Sequence, residues 1–307
     1  MTATRRFEMQ PLLRETQRSL RASPVFALYV LMTLGYAAFI GLMVAQMTWR
    51  LDIFLPGGFG QMAHGTAGPH RVHDLTFALL MTTGVVGVLA QLRRPSKNGA
   101  GMLMAVIPFA ALALAGLLAG EFEIVARRNP ARAIGPIVAV AAILHPTARS
   151  FLRSFRIARV NWILVALVGI AAVPFLRFAS TNIRLQETVP DEHFIQGHYG
   201  FMAAFSFTVI AVGLLASMRP DGWRLTAWVA GLLPALLGLT SLLYPDAASS
   251  LDVGWALAAV AWGAVFIAAA ELTKNAEGST LFGSLSKSRA SSPVQVEPAA
   301  QHSTHAR

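Results

Sequence analysis

Hydrophobic positions in this chain fall into long unbroken runs, not into helical stripes or the alternation of half-buried strands. Eight stretches contain no Asp, Glu, Lys or Arg: residues 25–49, 75–92, 100–120, 133–147, 161–176, 199–217, 225–244 and 253–270. A helix of about 20 apolar residues crosses the roughly 30 Å hydrocarbon layer of a bilayer. The pattern therefore predicts an all-α integral membrane protein of eight transmembrane helices. The first run is too long for the apolar part of a cleavable signal peptide. Arg5, Arg6, Arg14, Arg18 and Arg21 precede it, and no small-residue cleavage site closes it.

Composition supports this. The 307 residues are 55% hydrophobic and 13% charged, where soluble domains carry about 25% charged residues. The net charge of +10 resolves into topology. With the amino terminus inside, 18 of the 25 basic residues fall on inner segments, and 9 of the 15 acidic residues fall outside. By the positive-inside rule both termini are cytoplasmic and the chain is a multi-pass protein of the plasma (inner) membrane. The loop 121–132, with Arg127, Arg128 and Arg132, runs against the trend. The partner implied is the lipid bilayer. Nucleic acid is not expected, because the arginines are scattered among short loops. The first 24 residues form a basic cytoplasmic segment, 148–160 a basic linker, and the Ser/Lys/Pro/Gln-rich stretch 273–307 a disordered cytoplasmic tail.

An internal repeat organises the spans. At an offset of 126, Ala78, Thr82, Val86, Gly87, Leu89, Ala90 and Arg93 fall on Ala204, Thr208, Val212, Gly213, Leu215, Ala216 and Arg219, and Pro108 falls on Pro234. The first and fifth spans match at an offset of 134, through Ala37-Ala38 with Ala171-Ala172 and Arg50-Leu51 with Arg184-Leu185. The change of offset places about eight extra residues in the Gly-rich run 56–68. These matches predict two tandem four-helix bundles, 25–147 and 161–272. Because four is even, the bundles are related by a pseudo-twofold axis along the membrane normal. Pro108 and Pro234 each remove a backbone donor inside a span, while Gly84, Gly87 and Gly213 invite close helix approach.

Candidate chemistry gathers outside the membrane. There are no cysteines, which excludes disulfides, thiolate metal sites and cysteine nucleophiles. Five of the eight histidines occupy two outer loops: His64, His70 and His73 before span two, His193 and His198 before span six. Asp74 follows His73, and Asp191-Glu192 precedes His193. The repeat puts the loops in equivalent places, so His70, His73, Asp74, His193 and His198 form a candidate metal site. Imidazole suits Zn, Cu and Fe, and His73 and His198 are the candidate cofactor-binding pair. The competing reading makes these ordinary interface residues, with Asp74 as a helix cap. Neither His70-x-x-His73 nor the His193–His198 spacing matches a zinc motif. His145, at the inner end of span four, is placed against the helix carboxyl end. The runs themselves hold no ionisable group of the kind coupled transporters place at membrane depth. No phosphate-binding loop, nucleophile elbow or dinucleotide fingerprint is present.

The four-plus-four layout, with Arg-Leu after the first and fifth spans and a histidine opening the second and sixth, resembles haem A synthase. That resemblance implies haem held by histidines at His73 and His198. Spans four and eight lack the family's further histidines, and its Thr-x-Ser-Gly-Leu and Cys-Pro-Asp-Trp-Pro motifs are missing. From about Gly197 to Glu271 the chain is similar to an uncharacterised prokaryotic multi-span membrane protein family, which brings no activity with it. Three functions stay open: an accessory, sensor or small-molecule-binding component with a His-rich outer surface; a haem- or metal-binding redox protein; and a small-solute carrier rocking one bundle against the other. Whether the protein is an enzyme is not decided by its sequence.

Overall fold

A computed structural model describes residues 24–49, 70–92, 98–120, 131–145 and 160–290. Among them there is no strand. Eight long helices stand in order: α1 Pro24–Trp49, α2 Arg71–Leu89 with a 3-10 turn Ala90–Leu92, α3 Gly99–Leu118, α4 Ala131–Leu144, α5 Trp162–Thr188, α6 His198–Ser217, α7 Trp223–Leu243 and α8 Val253–Ala290. A single-turn helix, Glu192–Gln196, precedes α6. The basic amino-terminal segment, the loop holding His64 and the extra residues 56–68, Arg127 and Arg128, and most of the linker 148–160 lie outside the described residues.

Six of these helices are long and apolar enough to cross a membrane: α2 with its 3-10 turn, α3, α5, α6, α7, and α8 as far as Lys274. The expectation was eight. In α1 the described apolar stretch is Val30–Leu42, and in α4 it is Gly135–Leu144. The 14 residues of α4 rise about 21 Å, short of the hydrocarbon thickness.

Two boundaries differ from the charge-free runs. Helix α5 continues for twelve residues past Leu176, carrying Arg177 and Arg184 inside it. Charge ends an apolar run without ending a helix, since Arg, Leu and Gln are good helix formers; the helix stops just ahead of Pro190. Helix α8 likewise continues through Ala290, where disorder was expected from 273. No proline intervenes before Pro293. The chain divides into two units, Met1–Ala269 and Ala270–Arg307, and the core and site described below belong to the first.

Helix α6 is the centre of the bundle. Of its most apolar 18 residues 72% are buried, against 28% for α5 and 22% for α8. Met202, Phe205 and Val209 pack with Ala171 and Phe175 of α5 and with Leu233 and Leu237 of α7. Ala203 and Ala204 face Leu80, Met81 and Met102. Small residues set the closest approaches. A side chain at Gly87 would strike the Gly101 carbonyl of α3, one at Gly213 would strike Val168 of α5, and one at Gly84 would strike the Tyr36 hydroxyl of α1. Gly87 and Gly213, equivalent by the offset of 126, thus face non-equivalent neighbours. A further seam joins α7 to α8, where Gly231 meets the Gly263 carbonyl and Gly238 the Ala256 carbonyl. Pro108 and Pro234 are buried inside α3 and α7.

The helices alternate in direction, which gives the bundle two polar ends. At one, Gln91 donates to the Gly87 and Asn98 carbonyls, Asn98 donates to the Ala90 carbonyl, and His145 lies 3.1 Å from Gln91 Oε1. The His145 side chain is therefore held by the α2 terminus. Also at this end, the Ala100 amide donates to the Asp221 carbonyl and the Asn161 amide to the Ser217 carbonyl. Asn161 caps α5, its Oδ1 accepting from the amides of Ile163 and Leu164. The other end brings together the starts of α2 and α6, the last turns of α5, and the residues before α8.

Candidate metal centre

Two amino-terminal helix ends and one turn deliver four histidines to that second end. His70 is the residue before α2, His73 lies in its first turn, and His198 opens α6. His193 sits on the single-turn helix, which Asp191 caps by accepting from the Phe194 amide at 2.9 Å. Gly197 then takes φ of 73°, a left-handed conformation that ends the turn and that a side chain would strain. This kink lets His193 and His198, five positions apart, face the same point. Gln186 of α5 pins the turn from both sides, its Nε2 donating to the Phe194 carbonyl and its Oε1 accepting from the Gly200 amide.

One ligand nitrogen from each of His70, His73, His193 and His198 lies within 4.8 Å of all the others. The rings are packed against one another: centroids are 4.5 Å apart for His70 and His193, 4.9 Å for His73 and His193, and 5.2 Å for His73 and His198. His70, His73 and His198 are buried. In a tetrahedral site with metal–nitrogen bonds of about 2.0–2.1 Å, ligand nitrogens stand about 3.3–3.4 Å apart. The four imidazoles thus need only ångström-scale movement to close on one ion. Asp74 does not join this group; one position along α2 from His73, its side chain projects about 100° away. Nor does it cap α2, since the cap position is His70, and the buried Asp74 Oδ1 has no hydrogen-bond partner.

Hydrogen bonds outside the cluster fix which nitrogen of two rings carries its proton. Asn182 Nδ2 donates to the Phe178 carbonyl at 3.0 Å, so Asn182 Oδ1 is an acceptor, and it receives the Ser249 hydroxyl at 2.8 Å. With its only proton committed, Ser249 Oγ accepts from His73 Nε2 at 3.1 Å. The lone pair of neutral His73 is therefore on Nδ1, a buried atom with no hydrogen-bond partner. His193 Nδ1 lies 3.2 Å from Asp191 Oδ2. A carboxylate only accepts, so Nδ1 carries the proton and the lone pair is on the buried, unpartnered Nε2. Burial works to raise the Asp191 carboxyl, but hydrogen bonds from the Phe194 amide, the Tyr199 hydroxyl and His193 outweigh it and hold the group below the ordinary carboxylate range. His70 Nε2 stands 3.8 Å from Glu192, and the Nδ1 atoms of His70 and His198 are buried.

Ser249, Asn182, Gln186 and Tyr199 are the residues that inspection of the sequence passed over. Asn182 and Gln186 lie four positions apart beyond the last charge-free residue of span five, on one helix face. That spacing was a legible signal once the helix was extended past Arg177. Ser249 gave none: its role depends on φ of 61° and on contacts 67 and 176 positions distant. No protein-family model, curated protein or solved structure matches this chain.

Proposed function

We propose that this is an integral membrane protein that holds one transition-metal ion in a four-histidine centre at the outer end of its helix bundle. The observation that carries it is the pair of fixed tautomers. His73 and His193 each spend their outward nitrogen on a polar partner and present the inward lone pair, the arrangement by which imidazole ligands of bound metals are oriented. Four imidazoles with neither thiolate nor carboxylate in the set suit Zn, Cu, Fe or Ni. Four ligands close a tetrahedral site, which favours tight retention or electron transfer over chemistry at an open position. Asp191 and Glu192 supply negative charge at its edge.

The same packing favours a bare ion over haem. A porphyrin between His73 and His198 would part their centroids to roughly 6 Å, given bonds of about 2 Å on either side, and His70 and His193 fill the flanking space.

This reading keeps eight spans in the plasma membrane, with α1 and α4 completing the set, both termini cytoplasmic and the histidines outside. The two halves are read as tandem four-helix repeats. The distribution of basic residues and the register of α2 with α6 support it. Protein purified in mild detergent tests the central point, by absorption spectrum and by Fe, Cu and Zn content. About one equivalent of metal in the wild type, lost in His73→Ala and His198→Ala, is the expected result. Metal-free protein from metal-replete cells overturns the proposal.

A further inference from the structure

Outside the histidine centre, α5 and α8 diverge around a cavity of about 400 Å³. Its inner half is apolar, walled by Pro174 and Phe175 of α5 and by Trp255 and Trp262 of α8, with Ala171, Ala258 and Ala259 leaving the room. Trp262 closes the inner end, its indole N–H donating to the Leu167 carbonyl across the gap at 3.0 Å. Towards the outer end the lining turns polar, with Arg177, Asn182, Ser249 and Asp252.

Those polar groups differ in what they have left to offer. Ser249 donates to Asn182, and Asp252 Oδ1 accepts from the Trp255 amide as the cap of α8. Arg177 is different. Its guanidinium makes no ion pair among the described residues, and it stands exposed on α5, one residue past the charge-free run and beside the apolar hollow. A guanidinium at the mouth of an apolar hollow offers charge-assisted hydrogen bonds to an anionic group whose chain fills the hollow. Volume limits what could meet it: at roughly 30 Å³ for a water-sized group, 400 Å³ takes on the order of a dozen non-hydrogen atoms. That is room for one medium-length chain.

We propose that this cavity binds a single-chain anionic amphiphile of the medium-chain carboxylate class, its head on Arg177 and its chain lying between α5 and α8 towards Trp262. The site is separate from the histidine centre and does not require a metal. Entry is from the bilayer, because the walls are lipid-facing helices.

Trp255 and Trp262 allow a direct test on the full-length protein in nanodiscs, with a terminally brominated dodecanoate as quencher of tryptophan fluorescence. The expected result is saturable quenching that Trp262→Phe largely removes, competed by dodecanoate and about tenfold less well by dodecanol. Arg177→Gln should weaken binding by about tenfold or more, and Ala259→Leu should abolish it by filling the hollow. Unchanged thermal unfolding of Arg177→Gln would show that the variant is folded. Quenching that rises linearly without saturation, or equal affinity of Arg177→Gln and wild type with dodecanol competing as well as dodecanoate, would overturn the proposal. Either result would show a lipid-filled groove.

Discussion

Ser249→Gly separates the orienting role of this residue from its contribution to the fold. Ser249 holds φ of 61°, a conformation costing a residue other than glycine about 1–2 kcal/mol. Glycine removes that cost but also removes the hydroxyl. Two hydrogen bonds go with it, from Ser249 to Asn182 and from His73 to Ser249, each worth about 1 kcal/mol net. The terms nearly cancel, so metal-free variant and metal-free wild type should unfold within a few degrees of one another. Metal binding has no such compensation. Without the Ser249 oxygen, His73 is free to place its proton on either nitrogen, and loss of an outer partner of a metal-bound imidazole costs about 10–100-fold in affinity, or roughly 1.4–2.7 kcal/mol. Competition against a chelator of known affinity, with thermal unfolding of the metal-free proteins alongside, measures both. Wild-type affinity in the variant would refute the argument that Ser249 sets the His73 tautomer.

Other expectations follow from the same geometry. Asp191→Asn puts an amide where His193 now donates to a carboxylate, and should lower metal affinity by about 10–100-fold with little change in unfolding temperature. Protons compete with the metal for the imidazole lone pairs, so acid should release it, followed by dialysis and elemental analysis. Asp191 is not the group responsible: its carboxyl is held below the ordinary carboxylate range, so it gains its proton only in stronger acid than a free carboxylate would. Gly263→Val drives a side chain into the Gly231 carbonyl and should destabilise the α7–α8 seam by about 1–3 kcal/mol in detergent unfolding. Gln91→Leu strips the polar end opposite the histidines of its bonds to Gly87, Asn98 and His145 and should cost about 1–3 kcal/mol.

How much of this was legible in the sequence depends on the range of the interaction. Helix positions were, because an apolar run in a bilayer must satisfy its own backbone, and α2, α3, α6 and α7 begin and end within a few residues of their charge-free runs. The ends of α5 and α8 were not, because charge marks where a helix leaves lipid and not where it stops. His70, His73, His193 and His198 were legible as one group, since the sequence matches at an offset of 126 set their loops in corresponding places. Asp74 was grouped with them by adjacency in sequence, and the 100° turn between successive helix residues separates it. Ser249 and Asn182 could not be found this way, because a hydrogen-bond chain across α2, α5 and the loop before α8 leaves no local pattern.

The most direct test of the four-histidine centre is X-ray absorption at the edge of the bound metal, on protein loaded with one equivalent. The account predicts only nitrogen neighbours, at about 2.0–2.1 Å, with outer-shell scattering from four imidazoles that drops by one ring in each of His70→Ala, His73→Ala, His193→Ala and His198→Ala. A shell of oxygen alone, or one that these substitutions leave unchanged, would contradict it.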